Sequence, residues 1–221
     1  MNLEHIRPAD IERTSMGIIE TELSGRGIRL EEAHAAVVKR VIHTTADFDY
    51  AGNLRFTPDA VEKGVAALRG GMIVTDTNMA LAGISKPALA RLGGEARCFM
   101  ADPEIAAQAK AEGTTRAAAA VTRAEKLYPK AILAVGNAPT ALLRAVELME
   151  KQDWRPALVI GVPVGFVNVV ESKELLLETC LRLQVPAIVA LGRKGGSNVA
   201  AAICNALLYT AADLLDPGTR N

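Results

Sequence analysis

The chain has 221 residues, half of them hydrophobic, which is enough to bury a sizeable core as one domain. Its 25 basic and 25 acidic residues balance, so no overall field recruits nucleic acid or a membrane surface, and aromatics at 4% are too few for a base-stacking platform. Cys98, Cys180 and Cys204 are odd in number, far apart and flanked by apolar residues, which fits reduced core thiols rather than a disulfide frame or a metal site. No apolar run reaches the roughly 18 residues of a membrane span. The charged stretch MNLEHIRPADIERT lacks the apolar core of a signal peptide, so a cytoplasmic protein is expected.

In chain order, Pro8 to Leu23 reads as a helix, opened by Pro8 and ended by Ser24-Gly25. Ser15 lies in its early turns. In the next segment Leu30, Ala33, Val37 and Val41 recur at helical spacing, and His43 ends the pattern just before turn-forming Thr44 to Asp49. Arg40 is three residues before His43 and Lys39 four, so both share its helix face and disfavour the imidazolium, while the helix C-terminus favours it. A histidine under such opposed pulls suits acid–base work near neutrality. The alternative is a residue that simply ends a helix. His43 with Asp47 and Asp49 reads as a solvated turn in preference to a metal site, and His5 and His34 carry no expected role. Asn53 to Phe56 is a short extended piece, and Thr57-Pro58 is expected to cap and open a helix through Leu68.

From residue 70 short apolar runs alternate with helical patterns: Met72–Thr75, Ala96–Phe99, Ala131–Val135, Ala157–Val162 and Ala187–Leu191. Runs that are not alternating fit strands buried on both faces of a parallel sheet. Helices start near Thr77, Asp102-Pro103, Thr115, Pro139, Val169 and Ser197. The expected fold is therefore α/β, a three-layer flavodoxin-like arrangement with a five-stranded parallel sheet in the order 2-1-3-4-5. Residues 1–69 form a helical segment packed on an α/β core of 70–215, in a single domain. That order brings Thr75-Asp76-Thr77-Asn78 beside Gly136-Asn137-Ala138-Pro139-Thr140.

The loops after the third, fourth and fifth strands hold the remaining candidates. In GNAPTAL, Gly136 permits the turn, Asn137 can cap and Pro139 suits the first helical turn, which exposes backbone N–H groups to an anion. GVPVGFVNVVESKE places Lys173 in the following helix. GRKGGSNVAAA places Arg193 and Lys194 before a Gly195-Gly196 turn, with Ser197 as cap. Each loop alone is what any parallel sheet needs, but three together, two with cations, point to an anionic ligand. Arg116, at a helix start that favours acids, is either a surface residue or a ligand contact. Walker, dinucleotide, HExxH and GxSxG patterns are absent.

The motifs VIHTTADFDY, TDTNMALAGI, GNAPTAL, GVPVGFVNVVESKE and GRKGGSNVAAA together resemble the precorrin-8X methylmutase family of cobalamin biosynthesis, from the Ser15 region to about Leu208. The resemblance implies a flavodoxin-like fold, a homodimer binding its tetrapyrrole near the subunit interface, no added cofactor and no metal site. It also implies the reaction, a methyl shift between adjacent carbons of ring C that turns precorrin-8 into hydrogenobyrinate, or the cobalt complex into cobyrinate. By matching positions, His43 is the catalytic histidine and Ser15 (or its neighbour Thr14) and Arg40 contact substrate. Thr75, Asp76, Arg116, Asn137, Thr140, Lys173 and Arg193 complete the expected substrate-binding set. Two other classes stay open on the residues alone: a non-catalytic tetrapyrrole carrier, and a nucleotide-binding module disfavoured by its missing phosphate fingerprints.

Overall fold

The computed structural model describes residues 8–220; His5 lies outside them. The chain opens with α1 (Pro8–Gly25), α2 (Glu32–Thr45), the single turn α3 (Tyr50–Asn53), β1 (Leu54–Phe56) and α4 (Ala60–Ala67). Then follow β2 (Met72–Thr75), α5 (Asn78–Gly83), α6 (Lys86–Arg91), β3 (Glu95–Cys98), α7 (Pro103–Ala111) and α8 (Arg116–Leu127). The last part is β4 (Ile132–Val135), α9 (Pro139–Lys151), β5 (Leu158–Gly161), α10 (Val169–Leu183), β6 (Ala187–Ala190) and α11 (Ser197–Ala211).

The sheet is mixed and has six strands, in the order β1-β6-β5-β4-β2-β3. This corrects the five-stranded, wholly parallel expectation. The five apolar runs do form parallel neighbours in the expected order, but Leu54–Phe56 adds an antiparallel edge, with Leu54 opposite Ala190 and Phe56 opposite Ile188. Three residues carry too little alternation to announce a strand, and their place is set by the partner edge rather than by their own pattern.

Every residue of β4, β5 and β6 is buried, because helices cover both faces. Ile73, Ile132, Leu158, Ile160 and Ile188 face one way, into a core shared with α11, α4 and α5. Val74, Leu133, Val135, Val159 and Val189 face the other, against α7, α8, α9 and α10. Each such side chain contributes about 1.5–3 kcal/mol by leaving water. Outside α11 lies α2, which buries Val37, Val38, Val41 and Ile42, and α1 packs on α2 in turn. The apolar stripe read from the sequence is therefore a packing face, and it fixes which way His43 can point.

Two boundaries differ from expectation for local reasons. Thr57 does not cap α4: its hydroxyl donates to the Val185 carbonyl (3.4 Å) and accepts from the Ala187 N–H (2.8 Å), tying β1 to β6. α4 begins later, after Asp59 in the left-handed region (φ 59°). The helix expected from Thr77 is two, α5 and α6, because Ser85 starts a second one by accepting from the Ala88 N–H, with proline in its first turn.

Candidate active site

His43 sits in the last turn of α2, which ends where Ala46 adopts the left-handed conformation (φ 52°) and donates its N–H to the Ile42 carbonyl. The imidazole is half-buried and lines a cleft of about 230 Å³ with Ser15, Ile18, Ile19, Glu22, Ala46 and Phe48. Ser15 and His43 thus face each other across the α1–α2 seam. Burial first, then the Arg40 and Arg220 guanidinium groups, hold the imidazole below the usual histidine range, and Glu12 partly offsets them. His43 is accordingly a weaker base than a free histidine.

Arg40, one turn before His43, is largely buried and bonds Glu12 of α1 at 2.5 Å. It also lines a larger cleft of about 480 Å³ on the opposite side of the seam, shared with Arg13, Met16, Lys39, Tyr209 and Leu215. Ser15 and Arg40 therefore bracket the helix end that carries the histidine.

The switch point between β2 and β4 forms as expected, with Thr75 opposite Ala134. Its chemistry differs from expectation. The Asp76 carboxylate is buried and accepts the N–H groups of Gly136, Asn137 and Ala138, each at 2.8 Å. The amides that GNAPTAL seemed to offer to an anion are already held by the protein's own carboxylate. Asp76 and the Asn137 backbone N–H serve the fold at this point, and the Asn137 side chain does not cap α9. Burial keeps the Asp76 carboxyl above the usual range despite those three bonds. Thr75 is buried too, donating to the Thr77 and Arg97 carbonyls (3.0 and 3.4 Å). Gly136 is demanded by packing, since a Cβ there would lie 2.7 Å from the Ser197 Cα.

At the neighbouring helix starts, the Thr115 and Thr140 hydroxyls bond each other at 2.8 Å, and Thr115 also caps α8 by accepting from Ala118. This pair brings the exposed Arg116 beside the start of α9. Ser197 is the first residue of α11 rather than its cap, and its hydroxyl bonds that of Thr77 at 2.7 Å, joining the β2 and β6 loops.

Lys173 lies beneath the β6–α11 loop. It is fully buried, and its ammonium donates to the Gly192 and Lys194 carbonyls, both at 2.8 Å. Burial pulls it down to about 8. From α10 it braces the glycine-rich loop above it. Arg193 is exposed, with its guanidinium 5.5 Å from the ring centre of Phe166 in the β5–α10 loop. Lys194 turns back to bond Asp47 and Asp49, each at 2.6 Å. Nothing in the sequence announces that clasp, which spans almost 150 residues, yet it docks the turn after His43 onto the β6–α11 loop.

The expected residues therefore fall into three classes. Ser15, Arg40 and His43 come together, Arg116, Thr140 and Arg193 line the rim made by the carboxyl ends of the strands, and Thr75, Asp76, Asn137 and Lys173 hold the loops beneath. Among the described residues no group of three or more His, Cys, Asp or Glu side chains could hold a metal ion. Cys180 and Cys204 are buried with thiols pushed up to about 12, and Cys98 is half-buried.

The helix-covered, mostly parallel sheet defines an α/β enzyme fold, with exposed Arg116 and Arg193 on its loops and an imidazole and a hydroxyl sharing one cleft on the α1–α2 seam outside it. The precorrin-8X methylmutase family profile matches residues 10–210. The chain is 53% identical over 178 residues to the cobalt-precorrin-8 methylmutase of Salmonella typhimurium, covering 80% of this chain and 81% of that one. It is 36% identical over 207 residues to the precorrin-8X methylmutase of Pseudomonas aeruginosa, covering 93% and 97%. The solved precorrin-8x methyl mutase of Thermus thermophilus superposes with a TM-score of 0.82 at 42% identity, over 92% of this chain and 98% of that one. The chain belongs to the precorrin-8X methylmutase family.

Proposed function

We propose that the protein is a methylmutase that moves a methyl group between adjacent carbons of ring C, converting precorrin-8X to hydrogenobyrinate or the cobalt complex to cobyrinate. Family membership together with the pairing of His43 and Ser15 across one cleft carries this reading. The reaction is an isomerisation, so it consumes no reductant and no group donor. It needs the macrocycle held in one tautomer while the methyl migrates. His43 supplies a proton to a ring nitrogen, and Ser15 orients the ring edge beside it. The substrate's acetate and propionate carboxylates meet Arg40, Arg116 and Arg193 at separate points. Their negative charge raises the imidazole from its lowered position in the free protein, so binding itself charges the acid.

The reading includes a homodimer. The His43 cleft, at about 230 Å³, is smaller than the roughly 300–1,000 Å³ that encloses a small ligand, and a tetrapyrrole is larger than most. The β5–α10 loop, whose Phe166 ring meets Arg193, exposes Phe166 and Val167 by 83% and 77%. A second copy supplies the missing wall and covers that loop. Purified protein incubated separately with the metal-free and cobalt forms tests the function. Product from either supports it, and binding of both without turnover assigns a carrier instead.

A further inference from the structure

Glu12 and Ser15 lie one turn apart on α1, opposite Arg40 and His43, one turn apart on α2. Ser15 faces His43 in one cleft, and Glu12 meets Arg40 at 2.5 Å. The same carboxylate accepts twice from Arg220 at the far end of the chain, at 2.7 Å to each oxygen. Arg220 is held there from other sides too: it donates to the Leu214 and Leu215 carbonyls (2.8 and 3.0 Å) and lies 3.9 Å over the Tyr209 ring, on which Arg40 sits at 5.2 Å. Arg13 of α1 bonds Asp216 at 2.8 Å, so the segment after α11 is fastened back over α1 at two places. A carboxylate clamped between two guanidinium groups that share one aromatic ring is a built arrangement. Loose surface pairs do not take that form, and these three side chains are only 12%, 21% and 16% exposed for Arg40, Glu12 and Arg220.

We propose that Glu12 is a positioning residue for the methyl-shift site: it fixes the Arg40 guanidinium beside His43 and ties it to Arg220, so that the chain's own C-terminal segment sets the charge around the imidazole. This rests on the function proposed above. Around His43 the charged groups are Glu12 and Glu22 from α1, Lys39 and Arg40 from α2, Asp47 from the following turn and Arg220 from the C-terminal segment. Of these, Glu22 pairs with Arg26, Lys39 with Glu20 and Asp47 with Lys194. The balance that remains is one carboxylate against two guanidinium groups, and removing either sign tips it in opposite directions.

The test is a histidine NMR titration of the free protein, in wild type, Glu12→Gln, Arg220→Gln and the charge-keeping Arg220→Lys. The Glu12→Gln midpoint moves down, Arg220→Gln moves it up, and Arg220→Lys stays near wild type. A purely structural role shifts both neutral variants the same way through loosening, and that result, or no shift in either, overturns the proposal. In turnover assays Glu12→Gln also raises KM roughly tenfold, because Arg40 loses its anchor, and the acid-dependent limb moves with the titration. Should wild type fail to turn over any tetrapyrrole while the opposed shifts persist, the functional reading fails and the charge balance stands.

Discussion

Replacing Asp76 by asparagine is nearly isosteric, yet the structure makes it costly. Oδ1 accepts the Gly136 N–H, and Oδ2 accepts those of Asn137 and Ala138. An asparagine has one oxygen, so in either orientation its NH2 confronts one or two backbone N–H groups at hydrogen-bond distance, donor against donor. Each charge-assisted bond lost is worth about 1.5–3 kcal/mol, and relief from burying a carboxylate returns part of it. The net destabilisation is about 2–4 kcal/mol, or roughly 5–15 °C in Tm for a chain of this size. Urea unfolding at pH 7 followed by circular dichroism measures it, with the slope against denaturant unchanged. A loss under about 1 kcal/mol would show that the carboxylate does not hold the β4–α9 turn. The turn's amides would then again be candidates for an external anion.

Other outcomes follow from the same geometry. Lys173 is held at about 8 in the folded chain against 10.5 when unfolded. Between those values the unfolded chain binds more protons, so stability rises with pH. Compared with Lys173→Met, wild type should gain up to roughly 3 kcal/mol from pH 8 to 10.5 in urea titrations, and a flat difference contradicts its burial as an ammonium. Arg116→Ala and Arg193→Ala should each weaken tetrapyrrole binding about ten- to a hundredfold by fluorescence titration, and unchanged affinity in both removes the rim from the site. Phe166→Glu should shift sedimentation from dimer to monomer at micromolar concentration, and a monomeric wild type would refute the shared cleft.

Much of the scaffold was legible because its signals are local. Each β4, β5 and β6 run is apolar throughout because both faces are covered, and the flavodoxin-like order chosen among several for the five parallel strands is the one they adopt. The seam of Ser15, Arg40 and His43 was reached from helical spacing and family motifs. What the sequence hid depends on distant partners. β1 takes its identity from β6, Asp76 reaches across sixty residues to a loop it neutralises, and Lys194 clasps Asp47 and Asp49. Lys173 and Asp76 share one ambiguity. A charged residue beside a glycine-rich loop looks the same in sequence whether it faces a ligand or braces the loop from below, and only burial separates the two. The Glu12–Arg220 clamp, at the two ends of the chain, has no local signature.

Proton transfer from His43 as the methyl migrates is measured by single-turnover rates of His43→Ala and His43→Asn with saturating substrate. Both variants should slow the shift by roughly 100- to 10,000-fold while tetrapyrrole affinity changes little, since the carboxylate contacts lie on other residues. The wild-type rate should fall as the bound imidazole loses its proton, with a midpoint above that of the free enzyme. Near-normal rates in His43→Asn would mean that a hydrogen-bond donor suffices and positioning is the role. A His43→Ala variant that turns over like wild type would show that His43 takes no part in the methyl shift.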